Sequence, residues 1–427
     1  MTSPGGDLLD LDITGIAHGG TFVARHEGRV VFVSDAVPGE RVRARLRDDG
    51  PRAVTDARRF WRADTVEVLE ASPHRRAHVW AEAGLSRDPA ERAGGADLGH
   101  IELDHQRVLK RRVLAEALDR FAGGGIEAPE VSAADDSDGT GWRTRLTLHV
   151  DADGRVGPFA ARSHRVIPVA ALPLASPAIA EAAGRIRTAE PGRIELVEPA
   201  DGAVRVLRSP DGGARPEREV VRELVGDRSF AVDVAGFWQV HPRAAGTLDA
   251  AVRELLAGRV DAEATHLDLY GGVGLFAATL ADLGAVDIVT VESDRRATAH
   301  ARENLAPLEV NAVTARVDRF LGGGDRAARS VRGHRRPPRP APVARLDPDA
   351  RVGTVVLDPP RSGAGREVVE AIAGLEPQAI VYVACDPVAL SRDLGTFRAH
   401  GWETAELRAF DLFPHTHHFE VVALLSR

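Results

Sequence analysis

Residues 267–281 read LDLYGGVGLFAATLA, in which a buried-strand pattern runs directly into a glycine-rich turn and then into a helix pattern. Glu292 ends the next strand pattern, DIVTVE, eighteen residues after Gly274. Glycines such as Gly272 let a ligand approach the backbone closely, and a carboxylate at the second strand end accepts hydrogen bonds from ribose hydroxyls. The stretch therefore predicts a doubly wound α/β domain that binds a nucleotide-containing ligand.

The glycine turn alone leaves two ligand classes open, because the spacing Gly272-x-Gly274-x-x-Ala277 also matches the dinucleotide fingerprint of nicotinamide-dependent oxidoreductases. Residues 355–365 read VVLDPPRSGAG, and they place Asp358 and two prolines after another strand pattern, where open α/β sheets bind ligands. Methyltransferases commonly carry Asp-Pro-Pro there, and dehydrogenases do not. The motif favours a methyltransferase, with an oxidoreductase as the alternative.

Cys385 is the only cysteine of the chain, which excludes an internal disulfide and any multi-cysteine metal site within one chain. A lone cysteine is most often a small core residue. Cys385, however, follows the apolar strand pattern of residues 379–384 and shares a sheet edge with Asp358. A helix that begins just after Cys385 would favour the thiolate, so we predict that Cys385 is a nucleophile.

The C-terminal stretch 411–425, DLFPHTHHFEVVALL, offers a base. Glu420 opens its strand pattern, and a carboxylate entering an apolar strand is costly unless it is paired or used. We therefore predict that Glu420 is a general base. His415, His417 and His418 lack nearby carboxylate or cysteine partners in the sequence, so we expect RNA contact or packing rather than a metal site.

The chain has 427 residues, which is enough for two or three domains, and a formal net charge of −8. A net negative charge opposes nucleic-acid binding, but the stretch from Arg25 to Arg62 contains ten arginines and only six acidic residues. The segment 321–351 is rich in Arg, Pro and Gly and predicts a mobile loop. No apolar run could span a bilayer and the start is acidic, so we expect a cytoplasmic protein.

The N-terminal 72 residues show short strand patterns separated by glycine and turn residues, which predicts a small β-barrel. Residues 15–46, GIAHGGTFVARHEGRVVFVSDAVPGERVRARL, resemble a TRAM domain, an RNA-binding barrel. The resemblance implies an OB-like barrel that binds RNA through a basic face. Phe22, Phe32 and Trp61 are the aromatic side chains that we expect to stack on bases.

Residues 73–234 predict a small α+β middle domain, and residues 235–427 the α/β domain. In the middle domain, residues 73–104 show little periodicity, and a helix pattern follows at residues 105–121, whose predicted apolar face comprises Val108, Val113, Leu114, Ala117 and Leu118. Strand patterns follow from Trp142 onward. In the α/β domain THLDLY, DIVTVE, VTARVD, GTVVLD and AIVYVA are successive strand candidates.

FWQVHP, LDLYGGVGLF, VVLDPPRSG, IVYVACDPVALSRDL and DLFPHTHHFEVVAL occur in this order, and together they resemble the RNA uracil-5-methyltransferase family. The resemblance implies Cys385 as the nucleophile that adds to carbon 6 of uracil and Glu420 as the base that removes the proton from carbon 5. It also implies an S-adenosyl-L-methionine pocket lined by Gln239, Tyr270, Glu292, Asp318 and Asp358, next to Gly272 and Gly274.

The chain departs from the family in two places. Asp386 stands where the family often has Asn, and its negative charge could raise the pKa of the thiol. Many members carry a four-cysteine iron–sulfur cluster, but Ala93, Ala96 and Leu172 stand where cysteines would fall. We therefore expect no iron–sulfur cluster and a middle domain that is held together by packing.

The sequence as a whole predicts a cytoplasmic, monomeric enzyme that forms 5-methyluridine in structured ribosomal or transfer RNA, without a metal. The target base would be flipped out of its stack to reach Cys385. A nicotinamide-dependent oxidoreductase and a non-catalytic RNA-binding protein are the alternatives. The first would not need Cys385, and the second would bind RNA without transferring a methyl group.

Overall fold

The structure is a computed structural model that describes residues 6–47, 60–187, 190–213, 218–308, 310–322, 346 and 350–427. Most of the segment 321–351, for which the sequence predicts a loop, lies outside the described residues. Of the helices within the described ranges, none combines the length and apolar character needed to cross a bilayer.

Five strands close into a barrel at the N-terminus, which confirms the predicted fold of this part. They are β1 (Leu8–Ala17), β2 (Thr21–His26), β3 (Arg29–Ser34), β4 (Arg41–Leu46) and β5 (Phe60–Glu70), in the order β1-β2-β3-β5-β4. Successive side chains of a strand point to opposite faces, so alternate residues such as Val31 and Val33 fill the interior. The barrel core is therefore built by the period-two pattern of the sequence.

The prediction that Phe22 stacks on RNA bases is wrong. Phe22 and Ala24 are 0% exposed, because the alternation along β2 turns both of them into the barrel. Phe32 does lie on the outer side, where its ring centroid is 5.3 Å from that of Phe60. Trp61 is only partly buried, and it carries the guanidinium of Arg29 at 4.9 Å from its ring centroid.

A long helix, α1 (Leu103–Phe121), follows the barrel and an irregular stretch that contains short 3-10 turns at 81–83 and 89–91. Val108 does not belong to its buried face, since 58% of that side chain is exposed. The buried face instead includes Leu109 and the polar residues Gln106 and Lys110. Hydrophobic periodicity alone could not place those two polar side chains inside.

The middle of the chain forms a four-stranded antiparallel sheet and a separate hairpin. The sheet has the order β10-β9-β7-β8 and consists of β7 (Arg145–Val150), β8 (Val156–Gly157), β9 (Gly192–Val197) and β10 (Arg205–Pro210). Helix α2 (Pro177–Gly184) packs on this sheet through Ile179. The hairpin consists of β11 (Val220–Val225) and β12 (Arg228–Asp233).

The positions at which the family resemblance would place cysteines are packed with apolar side chains. Ala93 and Ala96 are 3% and 2% exposed and share one cluster with Trp80 and Trp142. Leu172 packs against the same cluster. Aromatic side chains of this size bury a large apolar area, so packing holds this section together as expected. The absence of an iron–sulfur cluster stays a prediction.

An eight-stranded sheet with the order β15-β14-β13-β16-β17-β19-β18-β6 forms the C-terminal part. Its strands are β6 (Val131–Ala133), β13 (Thr265–Leu269), β14 (Asp287–Glu292), β15 (Asn311–Thr314), β16 (Val352–Leu357), β17 (Ala379–Ala384), β18 (Glu403–Asp411) and β19 (Glu420–Ser426). The helices here are α3 (Ala244–Leu255), α4 (Leu275–Asp282), α5 (Arg295–Asn304), α6 (Val317–Leu321), α7 (Arg366–Gly374) and α8 (Pro387–Ala399), with a 3-10 turn at 306–308. Neighbours from β15 to β17 are parallel, whereas β19 runs antiparallel to β17.

Both faces of this sheet are covered, which confirms the doubly wound α/β architecture. Leu357 and Tyr382 pack with α1, α7 and α8 on one face, whereas Val356 and Val381 pack with α3, α4 and α5 on the other. A strand buried on both sides needs apolar side chains throughout, and all six residues of β17 are buried. The strand prediction VTARVD is wrong in its second half, because β15 ends at Thr314 and Val317 begins α6.

Two elements of the predicted middle domain lie on the C-terminal sheet. Leu114 and Leu118 of α1 belong to the core beneath α8, and β6 pairs in parallel with β18. The division at residues 72 and 234 stays a prediction. Helix α1 nevertheless connects the barrel side of the molecule directly to the sheet that carries the candidate site.

Candidate active site

The predicted site residues come together at one edge of the C-terminal sheet. Parallel strands β13, β14, β16 and β17 all end there, and the antiparallel β19 begins there. This arrangement opens a single cleft of about 1500 Å³. Of the predicted residues, the cleft is lined by Gln239, Tyr270, Gly272, Glu292, Asp318, Asp358, Cys385 and Glu420.

Glycine is required at the turn after β13 because the backbone passes close to buried polar atoms. A Cβ atom on Gly271 would lie 2.1 Å from Oγ1 of Thr290 and 2.4 Å from Oδ2 of Asp268. A Cβ on Gly272 would meet no atom within 4 Å, since it would project into open space. Gly272 therefore leaves room on the cleft side of the turn.

Gly274 is a predicted site residue that the structure does not place among the residues lining the cleft. It has a positive φ of 97° and precedes α4, and an added Cβ would lie 2.6 Å from Cδ1 of Leu305. The close contact with Leu305 explains why position 274 is a glycine, because the last glycine of such turns allows close packing at the start of the helix.

Glu292 and Asp318 present carboxylates to the cleft from neighbouring elements. Oε2 of Glu292 accepts a hydrogen bond from the amide of Gly272 at 3.2 Å, and its Oε1 accepts from the amide of Asp294 at 2.7 Å. Asp318 lies in the first turn of α6, where Arg316 donates to its Oδ2 at 2.8 Å. Glu292 is thus fixed at the second strand end, as the sequence predicts.

Phe237 and Gln239 enter the cleft from the segment after the β11–β12 hairpin. Gln239 is a predicted pocket residue, whereas Phe237 was not singled out. The side chain of Phe237 is 77% exposed although it is aromatic, so it presents a bare ring in a cleft. The ring of Phe237 is therefore open to contact with a ligand in the cleft.

Cys385 follows β17 and is half-buried in the cleft. Burial, together with the carboxyl groups of Glu420 and Asp358, raises the pKa of its thiol to about 12. The Arg361 guanidinium acts in the opposite direction. The net pKa of the thiol is therefore raised, although a helix begins directly after Cys385 as the sequence predicts.

Asp386 explains why the helix N-terminus does not stabilise the thiolate. Its Oδ1 accepts hydrogen bonds from the amides of Val388 at 3.0 Å and Ala389 at 2.8 Å, so a carboxylate already occupies the N-cap of α8. Asp386 also contributes to the raised pKa of Cys385, as the sequence suggests. The positive end of the helix is thus neutralised beside the thiol.

Glu420 lies at the start of β19 and is 5% exposed. Burial raises the pKa of Glu420 well above its usual range, and the nearby Asp358 adds to this effect. Its Oε2 has no hydrogen-bond partner within the part of the chain that the structure describes. A buried oxygen without a partner in a cleft indicates a place for a ligand or a transferred proton.

Asp358 and Arg361 complete the charges around the thiol. Burial and the charge of Asp268 raise the pKa of Asp358 to about 7. Arg361 lines the cleft and is the cation that opposes the raised pKa values of both Cys385 and Glu420. Sequence reasoning missed Arg361, although its position directly after Asp358-Pro-Pro was a usable signal.

The histidines of the C-terminal loop make packing contacts, and one of them lines the cleft. Nε2 of His415 lies 2.9 Å from the carbonyl oxygen of Asp138, and Nδ1 of His417 lies 2.7 Å from Oδ2 of Asp97. His418 faces the cleft with its ring centroid 3.9 Å from that of His417. Burial lowers the pKa of His418 to about 3, so it is a neutral ring.

Helix α1 holds the loop that precedes Glu420. Nζ of Lys110 lies 2.5 Å from Oδ1 of Asp411 and 3.2 Å from the carbonyl oxygen of Phe413. The amide side chain of Gln106 accepts from the backbone of His415 at 2.8 Å. The buried polar side chains of α1 therefore fix the path of the chain into β19.

Alkylation of the single cysteine should report the raised thiol pKa directly. Only the thiolate reacts with iodoacetamide, so a pKa of about 12 makes the thiolate rare at neutral pH. We expect the alkylation rate of the RNA-free protein to rise about tenfold per pH unit from neutral pH to the upper limit of its folded range. A rate that levels off between pH 7 and 9, measured by intact mass spectrometry, would contradict this.

The comparisons with known proteins agree with this geometry. The family model described as tRNA (Uracil-5-)-methyltransferase matches residues 251–427, and the TRAM domain model matches residues 5–53. An uncharacterized RNA methyltransferase of Streptomyces avermitilis is 40% identical over 99% of this chain and 98% of its own length. The 23S rRNA (uracil(1939)-C(5))-methyltransferase RlmD of Chromohalobacter salexigens is 32% identical over 98% of this chain and 89% of its own length.

A solved structure shares the fold. The tRNA (uracil-54, C5)-methyltransferase of Pyrococcus abyssi, in complex with S-adenosyl-L-homocysteine, superposes with a TM-score of 0.66 and 21% identity. The match covers 98% of this chain and all of that chain. The architecture of barrel, middle section and α/β domain is therefore common to both proteins.

Proposed function

The chain belongs to the S-adenosylmethionine-dependent RNA uracil-C5-methyltransferase family, and from that premise we propose that it forms 5-methyluridine in structured ribosomal or transfer RNA with Cys385 as nucleophile. The observation that carries this proposal is the cleft in which Cys385, Glu420 and Asp358 lie at the same sheet edge as the glycine turn. Membership of this family makes the chain a methyltransferase and excludes the oxidoreductase alternative.

The residues at the glycine turn fit S-adenosylmethionine, which supplies an electrophilic methyl group. A Cβ on Gly272 would enter the open space of the cleft, and the carboxylate of Glu292 is held beside it at the strand end. We propose that Glu292 accepts hydrogen bonds from the ribose hydroxyls. Gln239, Tyr270, Asp318 and Asp358 line the remaining wall in this proposal.

The cleft has room for a base beside the cofactor. Its volume of about 1500 Å³ exceeds the ~300–1,000 Å³ of common small-molecule sites. We propose that the flipped uracil stacks on the exposed ring of Phe237 and lies within reach of Cys385. Neutral His418, which also lines the cleft, offers a hydrogen-bonding edge to the base.

Cys385 makes carbon 5 of uracil nucleophilic. The thiol loses its proton to water in the open cleft, and the guanidinium of Arg361 favours the resulting thiolate. The thiolate adds to carbon 6, which creates an enolate whose carbon 5 attacks the methyl group and releases S-adenosylhomocysteine. Because the pKa of the thiol is raised in the free protein, we propose that its activation accompanies substrate binding.

Glu420 then removes the proton from carbon 5. Its raised pKa means a high proton affinity, which suits a base that takes a proton from carbon. The oxygen Oε2, which has no partner among the described residues, is the proposed acceptor. Loss of this proton re-forms the carbon 5–carbon 6 double bond and expels the Cys385 thiolate.

The proposal is tested by incubating the purified protein with labelled S-adenosylmethionine and total RNA from a strain that lacks the gene. We expect label in 5-methyluridine at a defined position of ribosomal or transfer RNA. Label in another nucleoside would overturn the assignment of carbon 5, and RNA binding without any label would support the non-catalytic alternative.

The outer aromatic side chains of the barrel should contribute to RNA affinity. Phe32 and Phe60 are neighbours on the barrel surface, and Arg62 lies over the ring of Phe60 at 5.6 Å. Base stacking on an aromatic side chain contributes about 1–3 kcal/mol per base, so Phe32→Ala should raise the Kd for RNA about fivefold or more. Leu224→Ala is the matched control, because Leu224 is 60% exposed but lies on the middle hairpin. Equal binding by wild type and Phe32→Ala in a filter assay would contradict the stacking role.

We further propose that the protein acts as a monomer in the cytoplasm. Every residue of the proposed site comes from one chain, so a second copy is not needed to complete it. Light scattering on the purified protein tests the oligomeric state.

A further inference from the structure

The Gly-Gly turn of the barrel touches the residue that follows Cys385 and the loop that precedes Glu420. His18 lies in this turn, between β1 and β2, and its Nε2 is 3.1 Å from Oδ2 of Asp386. A Cβ on Gly20 would lie 2.2 Å from Oδ2 of Asp97 and 3.1 Å from Cβ of His417. The turn therefore packs against the loop after Cys385 and against the loop before Glu420.

The two carboxylate oxygens of Asp386 make different contacts. Oδ1 caps α8 through the amides of Val388 and Ala389, and Oδ2 faces His18. The Asp386 side chain is 20% exposed and that of His18 is 45% exposed. A contact with this much exposure adds little to stability, so we assign its effect to geometry.

The surroundings of the pair restrict how it can move. The His18 ring lies 6.4 Å from that of His417, edge to face. His417 is itself held by Asp97, whose Oδ2 accepts from the His417 amide at 3.0 Å. The turn is thus bound at two points, one on each loop, and loss of His18 would release the contact next to the nucleophile.

We propose that His18 is a positioning residue for methyl transfer, because it ties the RNA-binding barrel to the N-cap of α8 and so holds the loop that carries Cys385. The inference rests on the proposed role of Cys385. A displacement of about 1 Å in a reacting group can lower a rate by about a hundredfold, so a contact that fixes this loop acts on kcat. The barrel then has two separate tasks, which are binding RNA on its outer face and holding the nucleophile loop with its Gly-Gly turn.

The test compares three barrel variants of the full-length protein in methyl transfer to a transcript that contains the mapped uridine. His18→Ala should lower kcat about tenfold, while the KM for RNA and the Kd for S-adenosylhomocysteine stay within about twofold. His18→Gln should keep kcat within about twofold, because the glutamine Nε2 can donate from nearly the same place. Glu27→Ala, in the next hairpin turn of the barrel, is the matched control and should behave as wild type.

A double variant shows whether His18 acts through Asp386. If it does, His18→Ala combined with Asp386→Ala should have a kcat no lower than that of Asp386→Ala alone. Losses that multiply in the double variant would overturn the inference. So would a His18→Ala protein with an unchanged kcat, one whose only defect is a raised KM for RNA, or a His18→Gln protein as slow as His18→Ala.

Hydrogen exchange tests the same contact without any activity. The amides of residues 388–390 should exchange several-fold faster in His18→Ala than in wild type or His18→Gln, because the cap loses its second anchor. Unchanged exchange would overturn the inference even if no RNA substrate is found. Absence of methyl transfer by wild type together with the expected exchange would instead refute the proposed function alone.

Discussion

Replacing Cys385 with Ala is expected to lower the rate of 5-methyluridine formation by about 10,000-fold or more, the scale on which loss of a nucleophile acts in covalent catalysis. Without the thiolate, carbon 5 is not activated, although the glycine turn and Glu292 remain intact. The rate is measured by methyl transfer to the mapped RNA. As a control, S-adenosylhomocysteine should bind Cys385→Ala as tightly as wild type, because Cys385 lies after β17 rather than at the turn after β13.

Glu420→Gln gives the complementary result. The methyl group can still be transferred, but the proton on carbon 5 stays and the thiolate cannot leave, so a covalent protein–RNA species should accumulate on a denaturing gel. The double variant Cys385→Ala, Glu420→Gln should form no such species. Rapid release of methylated RNA by Glu420→Gln would show that another group is the base.

Lys110→Met should lower the free energy of unfolding more than any other substitution considered. Lys110 and Asp411 are each 1% exposed, and their pair is buried between α1 and the end of β18. Removing one partner leaves an uncompensated buried charge, at a cost of about 3–5 kcal/mol. Oδ2 of Asp411 already has no hydrogen-bond partner among the described residues, so nothing there replaces the ammonium group.

Denaturant unfolding with two further variants isolates this effect. Arg112→Ala on the same helix breaks an exposed pair with Glu116, and its cost should stay below about 1 kcal/mol. Lys110→Met combined with Asp411→Leu should recover much of the loss, because neither charge then remains buried. If Lys110→Met and Arg112→Ala cost the same, the buried pair does not have the proposed role.

Sequence patterns were most informative where burial dictates every residue. Both faces of β17 are covered, so its apolar run marked residues 379–384 with the observed bounds. Alternation also predicted the barrel, but the choice of face for Phe22 depends on the strand register and was missed. VTARVD fits a strand by alternation, yet Val317 and Phe320 are spaced for a short helix and are both buried in α6.

The site could be located from motifs, whereas its electrostatics could not. Strand ends and glycine spacing placed Glu292, Asp358 and Cys385 at one edge, because parallel strands share that edge. The sequence shows two opposing influences on the thiol pKa, the helix N-terminus and Asp386, and their balance depends on how deeply Cys385 is buried. The contact between His18 and Asp386 joins distant parts of the chain, and no local pattern indicates it.

The apolar packing around Ala93 and Ala96 has a consequence for how the protein matures. Since we predict no iron–sulfur cluster in this section, we expect packing by two tryptophans and small aliphatic side chains to bring it to the native state. We therefore expect newly made chains to become active under full aeration and during metal starvation, at a rate that is set by folding alone.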